Sequence, residues 1–159
     1  MSVYLITGAS GYIGSMLIKG LLKKERDSWV VALSRDVEKL KARFSEGCLQ
    51  EDKCRLEERS LSSDRNGWLN FGRIRCFQAD LCDSCFIDQF GAANKNIDYI
   101  IHCASATRSI DMVNRPVEVT DSIINATQNI LEVARHYEIK SMVYLSSMEI
   151  YGDIDCSDG

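Results

Sequence analysis

The chain has 159 residues, of which 45% are apolar and 26% charged, a balance typical of one globular domain with enough apolar material for a single core. Its net charge of −4 gives no electrostatic support for a nucleic-acid partner, and no stretch approaches the roughly 18 apolar residues that a membrane-spanning helix needs. The first apolar run also lacks the basic flank of a signal peptide, so we expect a cytoplasmic protein with no nucleic-acid or membrane partner.

Short apolar runs, typical of buried parallel strands, alternate along the chain with the spacing typical of amphipathic helices. The predicted elements are, in chain order, strand 3–7, helix 12–25, strand 29–33, helix 37–44, strand 74–79, helix 84–91, strand 99–104, helix 116–137 and strand 142–146. Strands that alternate with helices predict an α/β fold with right-handed crossovers. Residues 45–72 are polar and charged and break the pattern, so we interpret them as a surface insert.

Three glycines stand between the first strand and the first helix, at the spacing G-x-x-G-x-x-G of Gly8, Gly11 and Gly14. Without Cβ atoms the chain can turn tightly here and let a pyrophosphate approach the backbone. The amides and the positive dipole of the helix N-terminus would then bind the phosphates. The position between an apolar strand and an amphipathic helix favours a phosphate-binding turn over a purely structural one.

This turn, residues 7–14, resembles the T-G-x-x-G-x-x-G motif of the extended short-chain dehydrogenase/reductases, and in particular of the NAD-dependent epimerase/dehydratase group that acts on nucleotide sugars. Three later segments resemble further motifs of that family in the same order. Residues 79–83 resemble its A-D-x-x-D, residues 102–105 its H-x-A-A, and residues 144–152 its S-S-x-x-V-Y-G. The resemblance implies a Rossmann-type doubly wound parallel sheet of about five strands in the order 3-2-1-4-5.

The long helix matches the family only in part. Residues 126–131 resemble the end of the motif N-x-x-G-T-x-N-x-L, but Ala126 replaces the glycine and Ile123 stands where the leading asparagine would be. Asn125 falls at a variable position, so we expect it to bond neighbouring backbone or water rather than a cofactor.

The resemblance implies a cofactor, NAD or NADP, bound by the residues of these motifs. In the family the first aspartate of A-D-x-x-D, here Asp80, contacts adenine, although this residue could instead cap the next helix. The segment 102–105 lines the nicotinamide ribose, and we expect His102 itself to be packed or hydrogen-bonded. The expected cofactor-binding residues are Gly8, Ser10, Gly11, Tyr12, Ile13, Gly14, Ser34, Arg35, Asp80, Leu81, Cys103, Ala104 and Ser105.

The end of the second strand bears on the choice between NAD and NADP. NAD-specific members usually place an acidic residue there to bind the ribose 2′-hydroxyl. Here Ser34 and Arg35 come first, and an arginine can pair with a 2′-phosphate, which favours NADP. An Arg35 side chain stacked on adenine would suit either cofactor.

Two residues after the fifth strand are candidates for catalysis by the same resemblance. Ser147 matches a hydroxyl that hydrogen-bonds the substrate oxygen during hydride transfer, although it could also be an ordinary strand-end hydroxyl. Glu149 matches a glutamate that assists proton transfer in nucleotide-sugar dehydratases and decarboxylases. In this chain Met148 replaces the polar residue that usually precedes the glutamate.

The family's chemistry depends on a Tyr-x-x-x-Lys pair, and none of the six tyrosines has lysine four positions on. We therefore expect residues 1–159 to be the NAD(P)-binding domain of a nucleotide-sugar epimerase/dehydratase-like oxidoreductase, truncated at its C-terminal end and without that pair or the substrate lobe. A stand-alone NAD(P)-binding sensor or interaction module without catalysis is the alternative, and a simple reductase of the same fold is a third. The sheet edge after the fifth strand is expected to favour a homodimer unless something covers it.

The chain has seven cysteines, an odd number, which we expect to be free thiols in a reducing compartment. Cys82 and Cys85 form a lone C-x-x-C pair. A zinc site would need a second pair or histidines at ligand spacing, and the two histidines do not supply that spacing. We therefore expect no metal site.

Overall fold

The computed structural model describes residues 1–45, 68–93 and 96–147, which form one six-stranded sheet with helices on both faces. The strands are β1 Ser2–Thr7, β2 Ser28–Ser34, β3 Trp68–Phe71, β4 Ile74–Gln78, β5 Tyr99–His102 and β6 Ser141–Tyr144. The helices are α1 Tyr12–Lys24, α2 Val37–Ser45, α3 Phe86–Ala93, α4 Ser109–Asn114 and α5 Pro116–His136. Within these ranges none of the helices is both long and apolar enough to cross a membrane.

The strand order is β3-β4-β2-β1-β5-β6, and every pair except β3 with β4 is parallel. The five parallel strands confirm the predicted order 3-2-1-4-5. The chain begins in the middle of the sheet, builds one half through β2 and β4, and then crosses over to build the other half through β5 and β6. This reversal leaves a crevice at the carboxyl ends of the strands, next to β1.

Two elements were not predicted. Strand β3 is antiparallel to β4 and is joined to it by a tight turn in which Gly72 has a φ of +55°. It has four residues at the end of the polar stretch 45–72, too short for its own pattern to show. Helix α4 has six residues, which is less than two turns and too short to reveal a helical period. The rest of the predicted insert, residues 46–67, lies outside the described residues and stays a prediction.

The central strands bury side chains on both faces, which is why they are almost continuously apolar. One core lies under α1 and α2 and includes Ile6, Ile18, Val30, Ala32, Leu40 and Cys76. The other lies under α3 and α5 and includes Leu5, Leu33, Phe86, Phe90, Ile100 and Ile130. Adjacent residues such as Leu5 and Ile6 therefore belong to different cores, and together they fix the sheet between its two helical layers.

Asp98 connects neighbouring segments at the amino ends of the strands, the end of the sheet away from the crevice. This residue directly precedes β5. Its Oδ2 accepts a hydrogen bond from the Val3 amide at 2.8 Å, and its Oδ1 pairs with the Lys140 ammonium at 2.8 Å. The Asp98 carbonyl also accepts from the Lys140 amide at 2.8 Å. The hydrogen bond from Lys140 and that from the Val3 amide lower the pKa of this carboxyl, so it stays ionised in the folded state.

Replacing Asp98 with asparagine is expected to weaken the fold in a pH-dependent way. The folded-state pKa is lowered, so the stability that the carboxylate contributes is present above its unfolded pKa, near 3.9, and is lost as pH falls through the folded value. At pH 7 Asp98→Asn should lower the free energy of unfolding by roughly 1–2 kcal/mol. Urea titrations between about pH 7 and pH 3 should show the difference shrinking below about pH 5.

The matched control is Asp27→Asn, in an exposed turn at the same edge of the sheet. It should change the free energy of unfolding by less than about 0.5 kcal/mol at either pH. A difference between Asp98→Asn and the unchanged chain that is the same at both ends of the pH range would contradict the role given to the ionised carboxylate.

Candidate functional site

A cavity of about 530 Å³ opens at the carboxyl ends of the strands, where the chain reverses direction across the sheet on either side of β1. Open parallel sheets bind ligands at such a switch point. All of the predicted cofactor-binding residues line this one cavity, namely Gly8, Ser10, Gly11, Tyr12, Ile13, Gly14, Ser34, Arg35, Asp80, Leu81, Cys103, Ala104 and Ser105. The structure thus brings together four segments that are far apart in the sequence.

The cavity has further lining residues that were not predicted to bind the cofactor: Leu33, Asp36, Lys39, Ala79, Cys82, Ala106, Thr107, Ser122, Ile123 and Ala126. Three of these lining residues belong to α5, namely Ser122, Ile123 and Ala126. Ser122 and Ala126 are four residues apart, and this spacing could have indicated a shared helical face. Lys39 comes from the first turn of α2, close to the end of β2.

Other residues considered in the sequence analysis lie elsewhere. Asn125 is exposed on α5 and does not line the cavity, whereas Ile123, at the position where the family has asparagine, does. Ser147 is exposed beyond the end of β6 and is not among the lining residues. Glu149 lies outside the described residues, so its role stays a prediction.

At two of the three glycines between β1 and α1, the surrounding backbone leaves no room for a Cβ atom. Gly8 has a φ of +62°, and a Cβ atom there would come within 2.9 Å of the backbone of Cys103 and Ala104. A Cβ on Gly14 would come within 2.4 Å of the Gly8 carbonyl oxygen. The first contact lets β1 and the segment after β5 run side by side, and the second lets α1 begin directly against the turn.

Among the described residues, no side chain caps the N-terminus of α1. Its N-cap is Gly11, which has no side chain, and no acidic residue occurs in the first turn. The first amides of a helix have no partner within the helix, and they carry its partial positive charge. Since Tyr12, Ile13 and Gly14 line the cavity, this helix end is available to an anion there.

The fully buried hydroxyl of Thr7 joins β1 to the segment after β5. Its oxygen accepts hydrogen bonds from the amides of Cys103 and Ala104, both at 3.1 Å. With both lone pairs engaged, the hydroxyl proton is donated to Nδ1 of His102, which lies 2.8 Å away. His102 is therefore in the tautomer that carries its proton on Nε2.

The environment of His102 is that of a structural residue. The ring is buried and packs on Tyr144 with 5.4 Å between ring centroids. Burial lowers the pKa of the imidazole, so it is neutral at pH 7, in agreement with its hydrogen bond from Thr7. The prediction that His102 is packed or hydrogen-bonded is confirmed, since it is both.

The end of β2 is tied to the glycine-rich turn by side chains. The Ser34 hydroxyl lies 2.8 Å from the Ser10 hydroxyl and accepts from the Asp36 amide at 3.1 Å. Arg43 of α2 donates from Nε to the Ser10 carbonyl at 3.1 Å. Asp36 Oδ1 accepts from the Lys39 amide at 2.9 Å, so Asp36 caps the N-terminus of α2. The β1 turn, the end of β2 and α2 thus form one unit.

The opposite wall of the cavity is fixed by Asn129 of α5, whose Nδ2 donates to the carbonyls of Leu81 at 2.7 Å and Asp83 at 3.2 Å.

Asp80 does not cap α3. Its Oδ1 accepts from the Cys82 amide at 3.0 Å instead. Burial raises the pKa of the Cys82 thiol, and the Asp80 carboxylate raises it further, so the thiol is protonated at pH 7. Burial likewise raises the pKa of Cys103.

The sequence model of the NAD dependent epimerase/dehydratase family matches residues 4–157. The chain is similar to a dTDP-D-glucose 4,6-dehydratase from Dictyostelium discoideum, at 27% identity over 148 residues, and to a UDP-glucose 4-epimerase from Schizosaccharomyces pombe, at 28% over 149 residues. These alignments cover 93% and 94% of this chain but only 29% and 36% of the two proteins. The chain thus spans about a third of the length of the curated relatives it matches.

Among solved structures, the fold is similar to a UDP-glucose 4-epimerase from Bifidobacterium longum in complex with NAD+ and UDP. The TM-score is 0.68 at 21% identity, and the match covers 95% of this chain and 38% of that one. At this identity the likeness bears on the fold, and it confirms the predicted Rossmann-type sheet.

Two glycines of α1 provide a matched test of the turn. Gly14→Ala should lower the free energy of unfolding by roughly 1–3 kcal/mol, because its Cβ would meet the Gly8 carbonyl oxygen and the backbone must shift. Gly20→Ala, on the same helix with no atom within 4 Å of the new Cβ, should raise it by roughly 0.5–1 kcal/mol. Urea unfolding of both variants measures the difference, and changes of the same sign would contradict the packing argument.

The hydroxyl of Thr7 can be removed with little change of shape. Thr7→Val leaves two amides and Nδ1 of His102 without their partner, so we expect a loss of roughly 2–4 kcal/mol in the free energy of unfolding. Amide hydrogen exchange at Cys103 and Ala104 should also become faster. The control is Thr120→Val on the exposed side of α5, expected to cost less than about 0.5 kcal/mol. Equal losses in the two variants would rule out the proposed role of Thr7.

Proposed function

The chain belongs to the NAD dependent epimerase/dehydratase family, and we propose that it forms the NAD(P)-binding portion of a nucleotide-sugar epimerase or dehydratase. One observation carries the proposal: the uncapped N-terminus of α1 opens into a cavity at the switch point of the parallel sheet. A pyrophosphate is the ligand that this arrangement suits, because its charge is matched by helix amides while the glycine-rich turn leaves room for its oxygens.

The lining residues fit the rest of a dinucleotide. We propose that Ser10 and the first amides of α1 bind the pyrophosphate, and that Asp80 and Leu81 lie against the adenine. The segment from Cys103 to Ser105, which Thr7 positions, would line the nicotinamide ribose. When bound, the nicotinamide would supply hydride transfer, the chemistry that epimerases and dehydratases of this family share.

The substrate class is proposed from the relatives, whose names give UDP-glucose and dTDP-D-glucose as the compounds on which they act. Two observations agree with a sugar near the end of β6. The chain beyond this strand stays beside β5, since the Leu145 amide donates to the His102 carbonyl at 3.0 Å. Ser147 follows at the same edge of the sheet and is exposed. We propose Ser147 as the hydroxyl that orients the sugar oxygen and Glu149 as the base.

The proposal includes a limit on what these residues do by themselves. No tyrosine in the sequence is followed by lysine four positions on, so the acid/base pair of the family is missing from it. We therefore propose that residues 1–159 bind the cofactor without completing the reaction.

Cofactor binding can be tested by filling the cavity. Ser122→Phe puts a large side chain on the lining face of α5 and should weaken binding of NADH and NADPH by at least about tenfold, equivalent to roughly 1.4 kcal/mol. Asn125→Phe adds the same side chain to the exposed side of that helix and should leave both affinities unchanged. The fluorescence of the reduced nicotinamide measures both dissociation constants, and thermal unfolding checks that both variants fold.

If the unchanged chain binds neither dinucleotide, or if the two phenylalanine variants weaken binding equally, the proposed site is wrong. The same preparation can be mixed with NAD+ and UDP-glucose. Turnover would contradict the proposal that these residues are catalytically incomplete, while leaving the cofactor site intact.

A further inference from the structure

Cys82 and Cys85 lie in two consecutive turns between β4 and α3, and the two turns have the same hydrogen bonds. In the first, the Asp80 carboxylate accepts from the Cys82 amide at 3.0 Å and the Asp80 carbonyl from the Asp83 amide at 3.2 Å. In the second, the Asp83 carboxylate accepts from the Cys85 amide at 2.9 Å and the Asp83 carbonyl from the Phe86 amide at 3.1 Å. The two cysteines therefore hold equivalent positions in two successive turns.

These two thiols are open to chemistry in solution. Both are free and exposed, whereas Cys76 is buried on β4, where burial raises the pKa of its thiol to about 12. A C-x-x-C pair next to a strand–helix–strand pattern is typical of a couple that alternates between dithiol and disulfide. Residues three apart in a turn have Cα atoms within about 7 Å of each other, a separation that a disulfide spans.

Cys82 connects the pair to the cavity. It lines the cavity wall, and its Sγ donates to the carbonyl of Ser122 on α5 at 3.3 Å. The preceding residue, Leu81, lines the same wall, and its carbonyl accepts from Asn129 of α5 at 2.7 Å. Cys85 lies outside the lining of this cavity. A bond between the two sulfurs would remove the proton that Cys82 donates to α5, so the state of the pair acts on the wall.

We propose that Cys82 and Cys85 form a reversible disulfide, and that this disulfide lowers the affinity of the cavity for a dinucleotide. The effect on affinity rests on the proposed function, whereas the disulfide itself does not. In the oxidised chain the Ser122 carbonyl loses its donor, and the Cys82 sulfur is held towards Cys85 instead of towards α5. The wall that includes Leu81 then no longer has the position in which it lies against a ligand.

The oxidant that we propose is a small disulfide of the glutathione type. Exchange begins at Cys85, because the Cys82 thiol keeps its proton at pH 7. The Cys85 sulfur attacks one sulfur of glutathione disulfide, which releases one glutathione thiol and leaves a mixed disulfide. The Cys82 sulfur then attacks the Cys85 sulfur and releases the second glutathione thiol. The protein loses two electrons and two protons, glutathione disulfide gains them, and an excess of glutathione thiol reverses both steps.

The first measurement maps the disulfide after oxidation with glutathione disulfide and alkylation of the remaining thiols. An endoproteinase that cleaves before aspartate cuts at Asp83 and so separates the pair into peptides 80–82 and 83–87. Mass spectrometry should find these two peptides joined until a reductant is added. Cys82→Ser should stop at the first step and carry glutathione on Cys85. Separate peptides from the oxidised chain would overturn the inference.

The second measurement compares the dissociation constant of NADH for the reduced and oxidised chains, by the fluorescence of the reduced nicotinamide. Oxidation should weaken binding about fivefold, the effect of one lost hydrogen bond, and a reductant should restore it. Cys85→Ser should bind NADH as the reduced chain does, and glutathione disulfide should not change its affinity. Cys103→Ser is the matched control, because it removes another cavity thiol and keeps the pair. Oxidation should still weaken its binding about fivefold.

The outcomes separate this inference from the proposed function. Equal affinities of the reduced and oxidised chains would overturn the effect on the cavity, as would a loss of affinity that persists in Cys85→Ser. A reduced chain that does not bind NADH would contradict the proposed function and the effect on affinity together. Joined peptides would still establish the disulfide in that case, because the mapping needs no ligand.

Discussion

The cavity depends on the contact between β1 and the segment that follows β5. β1 and β5 are neighbours in the sheet, but the chain continues from β1 into one half of the sheet and from β5 into the other half. The buried hydroxyl of Thr7 satisfies two amides of that segment and the ring of His102, while Gly8 leaves no Cβ to separate the two backbones. With this contact made, α1 begins where an anion can reach its amides, and Cys103 and Ala104 become one wall of the cavity.

Two parts of the cavity differ in the kind of group that they offer to a ligand: one offers backbone amides and the other offers side chains. The site proposed for a pyrophosphate consists of backbone amides at the start of α1, so it follows from the fold and the glycine spacing. The end of β2 carries side chains that the fold does not dictate, and Arg35 and Lys39 can change without disturbing the core because both are exposed. One architecture can therefore keep its backbone site constant while exposed side chains at the end of β2 vary.

The alternation of apolar runs with helical spacing was enough to predict the five parallel strands and four of the helices, whereas the order of the strands came from the resemblance to a known family. The glycine spacing identified the turn, because close backbone contacts require glycine whatever the rest of the sequence is. Strand β3 could not be predicted, since an antiparallel edge strand of four residues is defined by its partner β4 and not by its own pattern. Lys39 and Ser122 were missed for a related reason. A helical pattern says which residues share a face, but which of those faces meets a cavity depends on how the helices dock.

The strand order also has a consequence for how the molecule assembles. Ser2 of β1 pairs with Ser28, so β1 and β2 pair between segments close in sequence. Tyr4 pairs with Tyr99, so the other half must wait for the closure of a much longer loop. During synthesis on a ribosome, β1 and β2 can associate early, whereas the walls contributed by the segment after β5 and by α5 arrive late. A nascent chain that has made only its first half would already have the glycine turn but nothing opposite it, and would gain a ligand site only when the second half docks.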